Sequence, residues 1–345
     1  MGKARPYTNL TRILRQLIIL RIMPSRIVGT GIALPKRIIS NAELSRRLGL
    51  SEAEIERKTG IQTRHWVGEG ETASTLAAEA ARSALRSAHI PVEAIDLIIV
   101  STTSPDMFFP STACLVQKSL STRPIPAFDI NASCTGFLYA LSVGDQYLRN
   151  RSAGHVLIVA TEVKSPFIDL NDPSTAVLFG DGAGAVVLSQ GDRGIRSIRI
   201  FAEGSRHRLI HLPVGGSRRP ATIDSLHQGL QYMKMEGKGL FRMAVKKMEL
   251  ALAALSDEYA LSSTDIDLFI FHQANLRILE VLLERRKIPL RKTEITIPKF
   301  GNTSSSSLPI ALDTALRKGR LQKGDRLVLC AFGGGVTWGT ALLDW

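Results

Sequence analysis

The chain has 345 residues, 44% of them hydrophobic, enough for one large core or two ordinary ones, and its 44 Lys+Arg against 31 Asp+Glu give a net charge of +13. No run approaches the roughly 18 to 20 uninterrupted apolar residues of a membrane span, so no integral membrane segment is expected and the chain reads as cytoplasmic. Three scattered cysteines, Cys114, Cys134 and Cys330, exclude a disulfide framework and lack the spacing of a zinc site, so no metal is expected.

In chain order, residues 1–22 hold Lys3, Arg5, Arg12, Arg15 and Arg21 with no acid, and without them the net charge is +8. The stretch TRILRQLIILRI reads as an amphipathic helix for a membrane or partner surface, or as sequence upstream of a native start at Met23. The second reading is favoured, because a strand-like pattern follows at once. RIVGTGI (26–32) predicts that first strand; its GTG is no dinucleotide fingerprint, since Leu34 holds the third glycine position. An Ala-rich helix over 73–87 leads into a buried strand from Ile95. Helix followed by buried strand recurs, which makes the class α/β.

The chain also resembles itself. AIDLIIVSTTS (94–104) matches DIDLFIFHQAN (265–275), GHVLIVATE (154–162) matches GDRLVLCAF (324–332), and GAGAVVL (182–188) matches TWGTALL (337–343). The first two offsets, 171 and 170, agree. A duplicated unit follows, with a basic extension at 1–22, one half at 23–192, another at 193–345 and a join near SQGDRG. Functional groups should collect where the halves meet.

Three residues stand out as chemistry. Cys134, in FDINASCTGF, falls after a short strand and at the start of a helix, where the helix dipole is expected to lower its pKa and suit it to covalent catalysis. His272, in LFIFHQAN, leaves a buried strand ahead of a helix starting near Ala274, a place that core histidines also occupy. Asn302, in KFGNTSSSS, sits at a helix start, where a cap is the commoner role.

AFDINASCTGF, FHQANLR, KFGNTSSSS and AFGGGVTWGTALL, in that order, resemble the motif series of β-ketoacyl-ACP synthase III enzymes, and the likeness runs from about Met23 to Trp345. The resemblance implies a five-layered thiolase fold, a homodimer, and no cofactor beyond the substrates acyl-CoA and malonyl-ACP. It implies that Cys134 takes the acyl group, that His272 and Asn302 bind the malonyl thioester, and that the N–H groups of Cys134 and Gly334 form the oxyanion hole. It places Phe109 across the dimer interface in the partner's acyl pocket, and Arg242, Arg277, Arg285 and Arg286 on the face that docks acyl carrier protein. Initiation of fatty acid synthesis is the implied role; a specialised pathway with a non-acetyl or carrier-bound primer is the alternative.

One departure bears on the primer. Glu54 and Pro173 stand where the family grips CoA adenine with tryptophan and arginine, and Lys58 replaces the arginine of RTGI. Degradative thiolases place a second cysteine where this chain has Phe332, and elongating synthases use a second histidine in place of Asn302. A nucleic-acid-binding module would explain the charge but not the Cys, His and Asn series, so no nucleic-acid partner is expected.

Overall fold

The computed structural model describes residues 24–345, so the basic extension, with the helix or upstream-sequence readings made of it, lies outside the described residues. The first elements are β1 (Ser25–Ala33), β2 (Arg37–Ser40), α1 (Asn41–Leu48), α2 (Glu52–Thr59), β3 (Thr63–Trp66), α3 (Ala73–Ala88), β4 (Leu97–Ser101), α4 (Thr112–Leu120), β5 (Ala127–Ile130), α5 (Gly136–Arg149), β6 (His155–Glu162), α6 (Pro173–Ala176) and β7 (Gly182–Gln190). Then come β8 (Ile195–Ala202), β9 (Ile210–His211), α7 (Ile223–His227), β10 (Lys234–Met235), α8 (Gly237–Tyr259), β11 (Leu268–Phe271), α9 (Leu276–Arg286), α10 (Ile297–Phe300), α11 (Ser307–Arg317), β12 (Arg326–Gly333) and β13 (Thr337–Asp344). Local chemistry sets many of these boundaries. Ser51 and Glu54 close a capping box on α2, Thr72 caps α3, and Asn275 caps α9, so that helix begins two residues later than Ala274.

Two large sheets share one plan. The first runs β1-β7-β6-β4-β5 and the second β8-β13-β12-β11, each with two antiparallel pairings followed by parallel pairing, twice in the first and once in the second. Where the second sheet has no fifth strand, an isolated parallel bridge joins Phe269 to Thr293, in the position that β5 takes beside β4.

Strands β4, β6, β7, β11 and β12 are buried on both faces, and their period of two sorts side chains into layers. Ile98 and Val100 of β4 face α3 and α4, whereas Leu97 and Ile99 face α5 and α11. Leu327 and Leu329 of β12 face the same central helices from the other side, and Val328 and Cys330 face α8 and α9. The stacking is therefore α3/α4, sheet, α5/α11, sheet, α8/α9: the expected five-layered α/β core. Both central helices begin at turns that carry candidate functional residues.

Candidate active site

The nucleophile turn is built from the end of β5. After Ile130 the chain passes through Asn131 and Ala132, takes left-handed backbone at Ser133 (φ 51°), and makes a 3-10 turn over Ser133–Thr135 that runs into α5. Cys134 is buried, and its Sγ lies 3.4 Å from Ser304 Oγ. The end of β12 closes over it. A Cβ on Gly333 would meet the Cys134 nitrogen at 2.8 Å, so only glycine lets this strand end lie against the turn.

The helix-dipole expectation for Cys134 needs correction. Burial pushes the thiol up from its ordinary value and the Glu162 carboxylate pushes the same way, while the charge of Lys164 only partly opposes them. Ser304 Oγ donates to Glu162 Oε1 at 3.1 Å. A carboxylate accepts only, so Ser304's hydrogen points there and its lone pair faces the sulfur. The resting group is a thiol.

The second turn belongs to the other half. Asn302 donates its backbone N–H to Leu178, and its Oδ1 accepts from the Ser304 N–H at 2.9 Å in an Asx turn; the N-cap position itself is held by Thr303, so the cap that the sequence suggested for Asn302 is not formed. With Oδ1 engaged, the Nδ2 hydrogens are what the side chain has left to offer. His272 is buried, and its Nδ1 lies 2.7 Å from Ser307 Oγ. Ser307 accepts from the Gln273 N–H, and Nδ1 is the partner among the described residues for its own hydrogen, which leaves the imidazole hydrogen on Nε2. Burial lowers the His272 pKa from 6.5 to about 3, only partly offset by Glu162, so the ring is a neutral donor near pH 7.

Two cavities meet at Cys134. The smaller, about 110 Å³, is lined by Cys134, His272, Asn302 and Gly334 together with apolar groups of α8 and α9. The larger, about 410 Å³, is lined by Cys134, Thr103, Lys164 and Ser304, with His207 and His211 also on its wall. Cys134, His272 and Asn302, distant in sequence, thus share one chamber.

The other expected residues divide. The Gly334 N–H, expected to serve an oxyanion, donates to Ser133 Oγ at 3.1 Å. Phe109 is 86% exposed and lines neither cavity of its own chain. Arg242, near the start of α8, and Arg277, near the start of α9, lie on helix ends that border the smaller cavity. Arg285 reaches Glu249 and Arg286 faces Ser256, farther along α8. Arg277 is itself paired with Glu280. Lys238 and Lys246, exposed four residues either side of Arg242, extend its stripe and could have been found from helical spacing. Glu54 is engaged in its capping box, and Pro173 opens α6.

A buried pair behind the nucleophile escaped sequence reasoning. Glu162, at the end of β6, is fully buried and takes hydroxyl hydrogens from Thr103, Ser104, Ser304 and Ser305, and Lys164 Nζ stands 3.0 Å away. Burial works to raise the Glu162 pKa, but Lys164 and these hydroxyls outweigh it and keep the group ionised. Among the described residues no cluster fit for a metal ion is present, and no helix is long and apolar enough to cross a membrane.

Comparison with known proteins gives one family. Residues 128–204 match the model described as 3-Oxoacyl-[acyl-carrier-protein (ACP)] synthase III, and residues 257–345 match its C-terminal counterpart. The chain is 44% identical over 320 residues to "Beta-ketoacyl-[acyl-carrier-protein] synthase III" of Xanthomonas campestris pv. campestris, covering 92% of this chain and 98% of that one. It is 42% identical to the protein of the same name from Roseiflexus sp., covering 92% and 97%. Among solved structures, 3-oxoacyl-[acyl-carrier-protein] synthase III from Aquifex aeolicus VF5 superposes with a TM-score of 0.86 at 40% identity, covering 93% of this chain and all of that one. The priming β-ketosynthase of the R1128 polyketide pathway superposes at 0.85 with 32% identity, covering 93% and 96%.

Proposed function

We propose, from the premise that the chain belongs to the β-ketoacyl-[acyl-carrier-protein] synthase III family, that Cys134, His272 and Asn302 carry the condensation of an acyl primer with malonyl-ACP that initiates fatty acid synthesis. The observation that carries these assignments is the single thiol shared by two cavities, one of which holds two neutral donors.

The Cys134 sulfur attacks the primer thioester, and its proton leaves with the departing thiol. Charge on the carbonyl oxygen is met by the backbone N–H groups of Cys134 and Gly334, the latter once Ser133 releases it. Malonyl-ACP then enters the smaller cavity. His272 Nε2–H and Asn302 Nδ2–H hydrogen-bond its thioester carbonyl, and loss of carbon dioxide leaves an enolate that the same two donors stabilise. The enolate carbon bonds to the acyl carbon, the C–S bond to Cys134 breaks, and the thiolate takes up a proton. A neutral histidine suits this work, because an imidazolium could surrender its proton to the enolate and end the reaction early. No cofactor is required.

Acyl carrier protein docks at the stripe Lys238, Arg242 and Lys246, with Arg277 beside it, where cations border the mouth of the smaller cavity. With Glu54 and Pro173 in place of an aromatic and a cation, the adenine of CoA would rest elsewhere, which keeps a carrier-bound primer in view. The working form is a homodimer: β5 is a sheet edge, and the neighbouring loop exposes Phe108 and Phe109 by 82% and 86%, a surface that a second copy would cover. Phe109 then enters the partner's acyl pocket. The enzyme works in the cytoplasm as two structural halves, 23–192 and 193–345.

Intact-mass spectrometry tests the roles. One acyl adduct is expected on the wild type and none on Cys134→Ala, while His272→Ala acylates yet fails to decarboxylate malonyl-ACP. Equal acylation of Cys134→Ala would overturn the nucleophile assignment.

A further inference from the structure

The larger cavity holds a charge that the proposed reaction leaves unused. Lys164 lines it beside Thr103, Cys134 and Ser304, although the residue is only 8% exposed. Its backbone is fixed from below, since Asp181 accepts from the N–H groups of Lys164, Ser165 and Val67. The side chain is therefore held in the wall. Nζ donates to Thr103 Oγ1 and pairs with Glu162 Oε2 at 3.0 Å.

Glu162 accounts for only part of this arrangement. Four hydroxyl groups and the Thr103 N–H already reach its two oxygens. An ammonium carries three hydrogens, and two are used among the described residues. The third is left for the cavity. Burying a cation there is costly unless something accepts from it, and a plain alkyl chain pressed against it would strip its water and return nothing.

We propose that Lys164 is a specificity-determining residue that selects a short acyl primer bearing an oxygen acceptor on its chain over an alkyl primer of equal length. The inference rests on Cys134 being the acylated residue, which places the acyl tail in the cavity that His272 and Asn302 do not line. Two histidines, His207 and His211, give that cavity further polar groups for such a tail.

Rates of Cys134 acylation by butyryl-CoA, 3-hydroxybutyryl-CoA and succinyl-CoA, followed by intact mass, test this with carbon number held constant. One or both oxygenated primers should react about tenfold faster than butyryl, and which one does so separates a neutral acceptor from a carboxylate. Lys164→Met should invert the order, and Lys164→Arg should preserve it. Two results would overturn the inference: a wild type that treats butyryl as well as either oxygenated primer, or a Lys164→Met variant that slows all three alike, since the lysine would then only neutralise Glu162. The wild-type comparison decides even if a variant fails to fold. No adduct from any of the three acyl groups, offered both as CoA and as acyl-carrier thioesters, would overturn the assignment of Cys134 itself and this inference with it, whereas adducts formed without discrimination would leave that assignment standing.

Discussion

The two turns that build the site are versions of one another. Asn131-Ala132-Ser133-Cys134-Thr135-Gly136 and Asn302-Thr303-Ser304-Ser305-Ser306-Ser307 lie 171 residues apart, with left-handed backbone at Ser133 (φ 51°) and Ser304 (φ 53°) and a 3-10 turn before a buried central helix in each. The same offset relates Ser101 to His272 and Gly136 to Ser307. In one half a bare glycine abuts Ser101, where a Cβ would stand 2.0 Å from the hydroxyl; in the other, Ser307 orients an imidazole. One framework thus supports a nucleophile in the first half and neutral donors in the second, and side chains alone make the difference.

Each turn also leans on a strand end of the opposite half. The cysteine turn rests on Gly333 of β12, and the serine turn donates to Glu162 of β6. The largest expected effect comes from removing the second support. Glu162→Ala strands Lys164 without its carboxylate and should cost about 3–5 kcal/mol in denaturant unfolding. A loss under about 1 kcal/mol would show that this contact does not hold the halves together.

Gly333→Ala attacks the first support. Its Cβ would fall 2.8 Å from the Cys134 nitrogen and 3.1 Å from that of Thr135, an overpacking expected to cost about 1–3 kcal/mol and to slow acylation of the thiol. Gly49→Ala, at φ 65° with open space around it, is the control that carries backbone strain alone and should leave acylation untouched.

Ser307→Ala separates the two chemistries. Loss of the hydroxyl frees the His272 tautomer and should slow malonyl-ACP decarboxylation about tenfold in single-turnover assays, with Cys134 acylation unchanged and Ser307→Thr restoring the rate. A purely structural serine would slow both steps together.

The smallest effect is an absence. Because His272 titrates near 3 rather than 6.5, decarboxylation should show no inflection at 6.5. The sign for stability follows. The folded pKa lies below the unfolded one, so the contribution of the neutral ring is complete above 6.5 and is lost as pH falls towards 3, where the unfolded chain takes a proton that the buried ring resists. Denaturation midpoints of wild type and His272→Asn, compared across that range, should converge as the pH drops.

The sequence disclosed β1, β5 and the buried strands β4 and β11, the last two because strands buried on two faces read as continuous apolar runs such as LIIV and LFIF, whereas the half-exposed β8 carries no such run. It disclosed Cys134, His272 and Asn302 through their flanking motifs, and extending the 171-residue offset to the two turns would have related them as well. Other features needed three dimensions. The Glu162–Lys164 pair depends on Ser304 and Ser305, far along the chain, and TEVK has no pattern to announce it. The direction of the Cys134 shift was misread because a helix start is visible in the residues, whereas the burial of the thiol and the carboxylate beside it are not.

The central layer has a further consequence. α5 and α11 are enclosed between the two sheets, with Leu138, Leu141, Leu308 and Leu312 essentially sealed from solvent. Their amide hydrogens should trade with deuterium only when the whole molecule opens, whereas the loops around Phe109 and His207 should trade within local fluctuations. The reacting groups stand on the slowest-breathing platform in the protein while the substrates arrive through its quicker rim.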